Sequence, residues 1–397
     1  MRNISDVVFV SAVRSPMGKF GGTMKDLKCY EIARFPIAEA LRRASVAGDE
    51  VDEAIIGTCR QAGNYVNPAH TAAYLGGISS CVPSVSVNEA CPSGMKAIQM
   101  ALQSIQVGAS DIVLAGGMES MSTIPYLIRG HRFRPFRFGD VKLEDGWTDS
   151  MDPVVNLSMG QTAELLVDKY SISRKEMDEF ALSSHRKAAA AQDNGWFDEE
   201  IAPVKIPATK SAPEKIFDKD ESIRRDTNME KLAKLPGAFK KGGNVTAGNS
   251  SGLTDGAAAL VAMDRQTAKS KGVNPLFSVV SYAHTAVDGK YMGEGPSVSI
   301  KKALKNAKMA LSDMDLIEVN EAFAAQIIAN ERVLKWDRNK LNVNGGAIAL
   351  GHPTGCSGAR IVVTLYYALK RLDKEYGIAA ICGGGGTTTA VIIKRES

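Results

Sequence analysis

The 397-residue sequence lacks long hydrophobic runs and an excess of either charge. No apolar run reaches the roughly 20 residues of a membrane-spanning helix, so no membrane partner is predicted. The 48 Lys and Arg residues nearly balance the 44 Asp and Glu residues. The resulting net charge of +4 tolerates an anionic small molecule without indicating nucleic acid. The first six residues leave no room for a targeting sequence before a strand-like segment, which predicts a cytoplasmic protein.

Cysteine is sparse, and its spacing excludes a disulfide framework. The six cysteines contain no CxxC pair; they are Cys29, Cys59, Cys81, Cys91, Cys356 and Cys382. In a chain of this size without a secretion signal we expect reduced thiols. His352 and Cys356 have metal-ligand spacing, so a zinc site with Cys91 and Cys382 is one alternative. Structural zinc cysteines normally come in close pairs, and therefore no metal is predicted.

Familiar nucleotide motifs are also missing, since no GxGxxG or Walker pattern follows the first strand. Four glycines at 383–386 fit either a tight turn or a phosphate-cradling loop. Residues 129–137 interleave arginines with aromatics. A solvated or subunit-contacting loop is favoured there over a nucleic-acid site, with assistance to a phosphate-bearing substrate as a further option.

The sequence does contain alternating strand and helix patterns. Strands are predicted at 7–10, 53–57 and 111–115, and helices at 30–47, 70–75 and 95–107. This alternation predicts a largely parallel α/β sheet. Pro36 predicts a bend or restart in the first helix. From about 118 to 249 strand signals become rare, and helices at 158–170 and 174–194 belong to a predicted insertion.

The α/β pattern then returns as an internal repeat. Asp52 is echoed by Asp315, Cys91 by Cys356 and Gly116 by Gly383, at offsets of 263, 265 and 267. We therefore predict two copies of one α/β unit whose equivalent loops meet at one site. The predicted boundaries are 1–120 plus 252–271 for the first copy, 121–251 for the insertion and 272–397 for the second copy.

Cys91 is the leading candidate for a nucleophile. It stands where a strand pattern ends and a helix begins, and Pro92 suits the first turn of that helix. A helix N-terminus favours a thiolate, although a small buried hydrophobe is the structural alternative. His352 and Cys382 have structural alternatives too. Together the three favour thiolate chemistry, with His352 taking the proton of Cys91 and Cys382 as a separate acid or base.

With these residues described, the sequence resembles the thiolase family from about residue 7 to residue 394. The motifs that carry the resemblance are 88–95, 115–122, 320–323, 345–353 and 382–384. The resemblance implies a duplicated five-layer αβαβα fold with an inserted loop domain that binds coenzyme A. It also implies an acyltransferase that converts 3-oxoacyl-CoA and CoA reversibly into acetyl-CoA and a shortened acyl-CoA, through an acyl-cysteine.

The same resemblance implies residue roles. Cys91 would carry the acyl group, His352 would activate it, and Cys382 would exchange a proton with acetyl-CoA. Asn320, through a water, would join His352 in holding the thioester oxygen. The backbone N–H groups of Cys91 and Gly384 would form a second oxyanion hole.

Further implied contacts concern coenzyme A, which is expected as a substrate and not as a tightly bound cofactor. Ser251 would contact its pantetheine arm, Phe239 and Phe323 would line its channel, and Arg224 would lie near its nucleotide. Met159 would contact the acyl group. A homodimer or homotetramer is expected, and the need for an accessory subunit is left open.

Three departures leave the acyl group open. Ser158 stands where many acetoacetyl-CoA thiolases have histidine, residues 147–158 form a longer stretch than usual, and three threonines follow the glycines. Two other functions are considered. One is a ketoacyl-synthase-like condensing enzyme, which would use Cys-His-His, and the other is a non-catalytic acyl-CoA-binding paralogue.

Overall fold

The computed structural model describes residues 2–133, 136, 138–147, 151–210 and 212–396. Arg134, Pro135 and Arg137 of the basic stretch, and residues 148–150 of the longer stretch, lie outside the described residues. Within the described part, no helix is both long enough and apolar enough to cross a membrane.

One large mixed sheet runs through the protein. In spatial order its strands are β14 (Leu316–Val319), β15 (Tyr376–Cys382), β16 (Thr387–Arg395), β13 (Phe277–Ala286), β1 (Val7–Arg14), β12 (Thr254–Asp264), β5 (Ile112–Ser120), β3 (Glu53–Gly57) and β4 (Ser84–Val87), while β2 (Gly18–Lys19) pairs with β12. Outward from the centre, the first half runs β1, β12, β5, β3 and the second half runs β13, β16, β15, β14. In each half the strand at the centre comes first in the chain and its neighbour comes last, and β4 is an additional edge strand of the first half. The halves join where Val8 pairs with Ser278 and Phe9 with Phe277. The repeated order confirms the predicted duplication. The predicted largely parallel sheet is wrong, because β1, β12, β13 and β16 pair antiparallel with their neighbours and, among the described strands, only β3 with β4, β3 with β5 and β14 with β15 pair parallel.

Helices form three layers around these half-sheets. They are α1 (Cys29–Ala44), α2 (Pro68–Leu75), α3 (Ser93–Gln106), α7 (Arg265–Ser270), α8 (Gly295–Ala307), α9 (Ala324–Leu334), α10 (Ala347–Leu350) and α11 (Thr354–Arg371). One hydrophobic cluster places α3 and α11 between the two half-sheets. A second packs α1 and α2 on the outer face of the first half, and a third packs α8 and α9 on the outer face of the second. The layers are therefore outer helices, first half-sheet, central helices, second half-sheet and outer helices, which makes five.

The first helix corrects one prediction. Cys29–Ala44 is a single helix that contains Pro36, so the predicted restart at this proline is wrong. Ile32, Ala33, Pro36, Ile37 and Ala40 are all buried along one face. Burying each large side chain contributes about 1.5–3 kcal/mol, which together outweighs the roughly 3 kcal/mol that an interior proline costs.

The positions at which α3 and α11 begin correct the predicted alignment between the two copies of the repeat. Helix α3 begins at Ser93 after Pro92, and α11 begins at Thr354 after Pro353. The counterpart of Cys91 is therefore His352, and the predicted match with Cys356 is wrong. Cys356 lies inside α11, is fully buried in the central core, and burial raises the pKa of its thiol to about 12. The proline at the helix start, and not the cysteine, marks the equivalent position.

The segment between β5 and β12 forms its own small elements. These are β6 (Tyr126–Leu127), β7 (Glu144–Asp145), β8 (Met151–Asp152), β9 (Leu157–Ser158), β10 (Val204–Ile206), β11 (Lys215–Phe217), α4 (Met159–Tyr170), α5 (Arg174–Asp193) and α6 (Met229–Ala233). Its described strands pair with one another as three hairpins. In the basic stretch, Arg129 forms an ion pair with Glu144 at 2.9 Å. The domain boundaries given above stay a prediction.

Candidate active site

The two central helices meet at their N-termini. A Cβ atom on Gly94 would lie 2.9 Å from the carbonyl oxygen of Gly355, and one on Gly358 would lie 2.5 Å from the backbone nitrogen of Met95. Glycine at these positions lets the two backbones approach closely. The residues that precede the helix starts, Cys91 and His352, therefore lie at one junction between the two halves.

Burial is the main influence on the acidity of the Cys91 thiol. Burial and the neighbouring Cys382 raise the pKa of its thiol to about 12, while a hydrogen bond from the backbone N–H of Gly384 lowers it. Burial therefore opposes the thiolate that the helix N-terminus is expected to favour. The N–H of Gly384 thus points at the sulfur of Cys91.

The glycine loop brings Cys382 and Met159 to the same place. Cys382 ends β15, and burial raises the pKa of its thiol to about 12. A Cβ atom on Gly383 would lie 2.4 Å from Cδ of Pro92, and one on Gly384 would lie 3.3 Å from the sulfur of Met159. Four of the predicted residues therefore lie close together: Cys91, Cys382, Gly384 and Met159.

His352 is held on three sides and kept neutral. Its backbone N–H faces the carbonyl oxygen of Gly252 at 3.2 Å and Oγ1 of Thr254 at 3.0 Å. Its Nδ1 atom lies 2.6 Å from Oγ of Ser357. Burial, aided by the charge of Arg360, lowers the pKa of the imidazole to about 3. A neutral imidazole is the form that can accept a proton.

Asn320 follows β14 and faces the same histidine. Its Nδ2 atom lies 3.5 Å from Nε2 of His352, and its backbone N–H donates to the carbonyl oxygen of Ala380. Oδ1 of Asn320 is buried and has no hydrogen-bond partner within the described residues. A buried acceptor of this kind is costly to leave unpaired, so it suits a bound water or substrate group.

Gly351 shapes the turn before His352, and its substitution should be costly. Its φ of 103° and ψ of 165° belong to a region that glycine alone occupies readily. A Cβ atom there would also lie 2.1 Å from Oγ1 of Thr254. Gly351→Ala should lower the free energy of unfolding by about 3 kcal/mol in urea denaturation, from strain and from the clash.

Gly272 provides the matched control for that substitution. It also has a positive φ, of 68°, but a Cβ atom there would meet open space. Gly272→Ala should therefore cost about 1 kcal/mol, from the backbone alone. Equal losses for the two variants would show that the Thr254 contact does not matter.

Glu119 is a residue that the sequence reasoning missed. Its buried carboxylate accepts hydrogen bonds from the backbone of Cys59 and Arg60 at 3.0 and 3.2 Å, and from the hydroxyl of Thr354 and the backbone of Gly355 at 2.7 and 3.0 Å. It therefore ties the loop after β3 to the first turn of α11. A carboxylate at a helix N-terminus is also favoured by the helix dipole. A charged residue within a buried-strand pattern was the available signal.

Glu321 supports the histidine from the other side. Its buried carboxylate accepts from Ser184 Oγ at 2.6 Å, Asn342 Nδ2 at 2.9 Å and the backbone of Ile348 at 3.1 Å. These contacts fix the glycine-rich segment that leads to His352. The sequence placed Glu321 in a motif but gave it no role.

The remaining predicted residues form a wall from the insertion to the second half. The rings of Phe239 and Phe323 pack edge to face at 5.9 Å. The backbone N–H of Ser251 donates to the carbonyl oxygen of Ala322. A Cβ atom on Gly160, next to Met159, would collide with the ring of Phe239. Phe239, Phe323, Ser251 and Met159 are therefore connected through direct neighbours.

Arg224 lies at a cavity of about 370 Å³ beside this wall. Its backbone N–H donates to Nδ1 of His185, at 3.1 Å. Ser250 and Gly252 line the same cavity, and Gly252 in turn contacts the backbone of His352. The cavity thus connects the exposed Arg224 with the histidine loop.

Ser158 has a structural explanation. It is the N-cap of α4, where its hydroxyl accepts from the backbone N–H of Gln161 and the Gln161 side chain accepts from the backbone N–H of Ser158. Such a capping box stabilises a helix start by about 1 kcal/mol. The zinc alternative gains no support, since the described residues contain no group of three His, Cys, Asp or Glu side chains placed to bind a metal.

Comparison with known proteins decides the family. The model named "Thiolase, N-terminal domain" matches residues 7–266, and "Thiolase, C-terminal domain" matches residues 273–395. The chain belongs to the thiolase family. The predicted family, fold and acyl-transfer class are confirmed, and the ketoacyl-synthase-like alternative is disfavoured.

Full-length relatives agree with this thiolase assignment. A probable acetyl-CoA acyltransferase of Staphylococcus epidermidis is 47% identical, with 99% of this chain and 100% of the relative covered. The acetyl-CoA acetyltransferase of Bacillus anthracis is 46% identical, with a TM-score of 0.95 and 98% of each chain covered. Human mitochondrial 3-ketoacyl-CoA thiolase, solved in complex with CoA, is 41% identical, with a TM-score of 0.94 and 98% of each chain covered.

Proposed function

We propose that this thiolase cleaves and forms 3-oxoacyl-CoA, with Cys91 as the acyl carrier. The observation that carries the proposal is the meeting of Cys91, Cys382 and the N–H of Gly384 at the junction where His352 also lies. Acyl transfer needs a nucleophile, a base and a donor to the developing oxyanion.

In the first step of cleavage, His352 takes the proton of Cys91 as its sulfur attacks the 3-oxo carbon. Protonated His352 and a water on Asn320 Oδ1 then face the thioester oxygen, where negative charge develops as the C2–C3 bond breaks. Cys382 gives its proton to C2, and acetyl-CoA leaves. Because its pKa is near 12, Cys382 is a weak acid that suits the strongly basic C2 carbanion. His352 then passes its proton to the thiolate of Cys382, which restores both groups.

In the second step, His352 takes the proton of CoA as the CoA sulfur attacks the acyl group on Cys91, and it gives this proton to the sulfur of Cys91 when that sulfur leaves. The resulting tetrahedral oxyanion would be stabilised by the backbone N–H groups of Cys91 and Gly384. One such donor is worth about 3–4 kcal/mol of the barrier. The released product is an acyl-CoA shorter by two carbons, and Met159 beside Gly384 would contact its acyl group.

For coenzyme A we propose the cavity beside Arg224 as the entry. Phe239, Phe323 and Ser251 would line the way from there to His352, so the inserted segment 121–251 would carry most of the binding surface. A guanidinium at the exposed end suits the phosphate groups of the nucleotide.

We also propose a homodimer through strand β4. It is the last strand in the order of the main sheet, and Val85 on it is 36% exposed. Nearby Tyr65 and Tyr74 are also exposed, at 81% and 59%. An edge strand flanked by exposed apolar side chains is suited to pairing with a second copy. A tetramer and the cytoplasmic location stay predictions, and the need for an accessory subunit stays open.

The test is a thiolysis assay over a series of 3-oxoacyl-CoA substrates, from acetoacetyl-CoA to longer and branched chains. Loss of substrate should require added CoA and should yield acetyl-CoA with the shortened acyl-CoA. Release of carbon dioxide from a malonyl thioester would instead support a ketoacyl synthase. CoA binding without any cleavage would support the non-catalytic paralogue.

A further inference from the structure

Ser357 lies one turn into α11 and touches the proposed base. Its side chain is fully buried, and its Oγ atom is 2.6 Å from Nδ1 of His352. The same hydroxyl is 3.0 Å from the carbonyl oxygen of Pro353, four residues back along the chain. No role has been given to this serine in the reaction above.

These two contacts leave two arrangements of the protons around Nδ1. A serine hydroxyl has one hydrogen, which can go to the carbonyl of Pro353 or to Nδ1, because that carbonyl also accepts from the backbone N–H groups of Cys356 and Ser357 at 3.0 and 2.9 Å. The amide of Asn320 on the other side of the ring favours the arrangement in which the hydroxyl donates to the carbonyl. The hydroxyl oxygen is then the acceptor for His352, and Nδ1 must carry the imidazole proton. In a neutral imidazole this leaves Nε2 with a free lone pair.

The opposite side of the ring agrees with this assignment. On that side Nε2 lies 3.5 Å from the Nδ2 amide of Asn320, and an amide N–H donates to an unprotonated nitrogen. Burial, together with the nearby charge of Arg360, lowers the pKa of the imidazole and so opposes a second proton on the ring.

We propose that Ser357 is a positioning residue that holds His352 as the Nδ1–H tautomer, with Nε2 free to accept the proton of Cys91. The inference rests on the proposed thiolase function, because it gives Nε2 the role of proton acceptor. Without the serine, Nδ1 loses its acceptor, and the Nε2–H tautomer, which cannot accept the proton, becomes populated.

The direct test is nitrogen NMR of the full chain labelled with ¹⁵N-histidine. The sequence has five histidines, and the His352 signals are identified by their loss in His352→Asn. In the wild type, Nδ1 of His352 should have the shift of a protonated ring nitrogen and Nε2 that of an unprotonated one. In Ser357→Ala the two should exchange or average.

Kinetics provides the second readout. In Ser357→Ala, alkylation of Cys91 by iodoacetamide and the kcat of thiolysis should each fall about tenfold or more, while KM for CoA stays within about twofold. Ser357→Thr keeps a hydroxyl and should restore most of the rate.

Ser297 is the matched control. It is also a buried serine in the first turn of a helix, and its hydroxyl donates only to a backbone carbonyl, that of Glu294, at 2.8 Å. Ser297→Ala should change neither the His352 signals nor the alkylation rate. This separates loss of a buried hydroxyl in general from loss of the contact with His352.

Two results would overturn the proposal. One is a wild-type His352 that is protonated on Nε2, and the other is an unchanged tautomer and alkylation rate in Ser357→Ala. A wild type with the Nδ1–H tautomer but without thiolysis on any 3-oxoacyl-CoA would remove the proposed function and leave the tautomer assignment intact. The two proposals therefore fail separately.

Discussion

Cys91→Ala should abolish the acetyl-enzyme that forms from acetyl-CoA and should lower thiolysis by at least about 10⁴-fold. The substitution removes the sulfur atom that carries the acyl group, and no neighbouring group can take over this role. Cys382 is close, but its own thiol is protonated and has no base assigned to it. The measurement is mass spectrometry of the intact chain after incubation with acetyl-CoA, together with the thiolysis rate.

Cys81 is the control, because it is a free cysteine exposed at the surface. Cys81→Ala should acetylate and turn over as the wild type does. An acetyl adduct of normal yield in Cys91→Ala would place the acyl carrier elsewhere and contradict the proposed mechanism.

The pH dependence of Cys91 alkylation follows from the same thiol. With a pKa near 12, the reactive thiolate fraction rises about tenfold per pH unit below that value. Alkylation of the free enzyme should thus keep rising between about pH 6 and 9. A plateau below pH 7 would reveal a preformed thiolate–imidazolium pair.

Cys382→Ser should separate the two halves of the reaction. Transfer of an acetyl group from acetyl-CoA to Cys91 breaks no bond to C2, so acetylation should remain near the wild-type level. Thiolysis should fall by about 10²–10⁴-fold, because a hydroxyl is a much weaker acid than a thiol and general acid catalysis is lost.

Exchange of the acetyl hydrogens of acetyl-CoA with deuterated water isolates this step. The wild type should catalyse the exchange, and Cys382→Ser should lose it while still forming the acetyl-enzyme. Cys81→Ser is the matched control and should retain both. Normal exchange in Cys382→Ser would assign the proton transfer to another group.

Sequence reasoning predicted much of the fold because strand and helix periods are local. The pattern at 53–57 predicted β3 with its observed bounds, and the repeat indicated the duplication. The predicted alignment of the two repeats was wrong, because it matched Cys356 with Cys91 by residue type. Pro92 and Pro353 mark the equivalent helix starts. The restart at Pro36 was also wrong, because packing on the sheet is a tertiary effect.

The candidate site was predictable in its residues and not in its electrostatics. Cys91, His352 and Cys382 stand in recognisable motifs. Glu119 instead contacts segments that are distant in sequence, and Ser357 contacts the ring nitrogen of His352 that faces away from Asn320. Burial opposes the expected thiolate at a helix N-terminus, and the degree of burial depends on every layer of the fold. The roles of the coenzyme A residues stay predictions.

The placement of Cys91 and His352 has a consequence for how the two repeats evolved. Each stands immediately before the proline that starts the central helix of its own repeat. Two identical units joined about an axis would present the same side chain at both positions, two cysteines or two histidines. A nucleophile paired with a base at this junction thus requires copies that are no longer identical. Chemistry of this kind could arise only after the two units had become free to mutate separately.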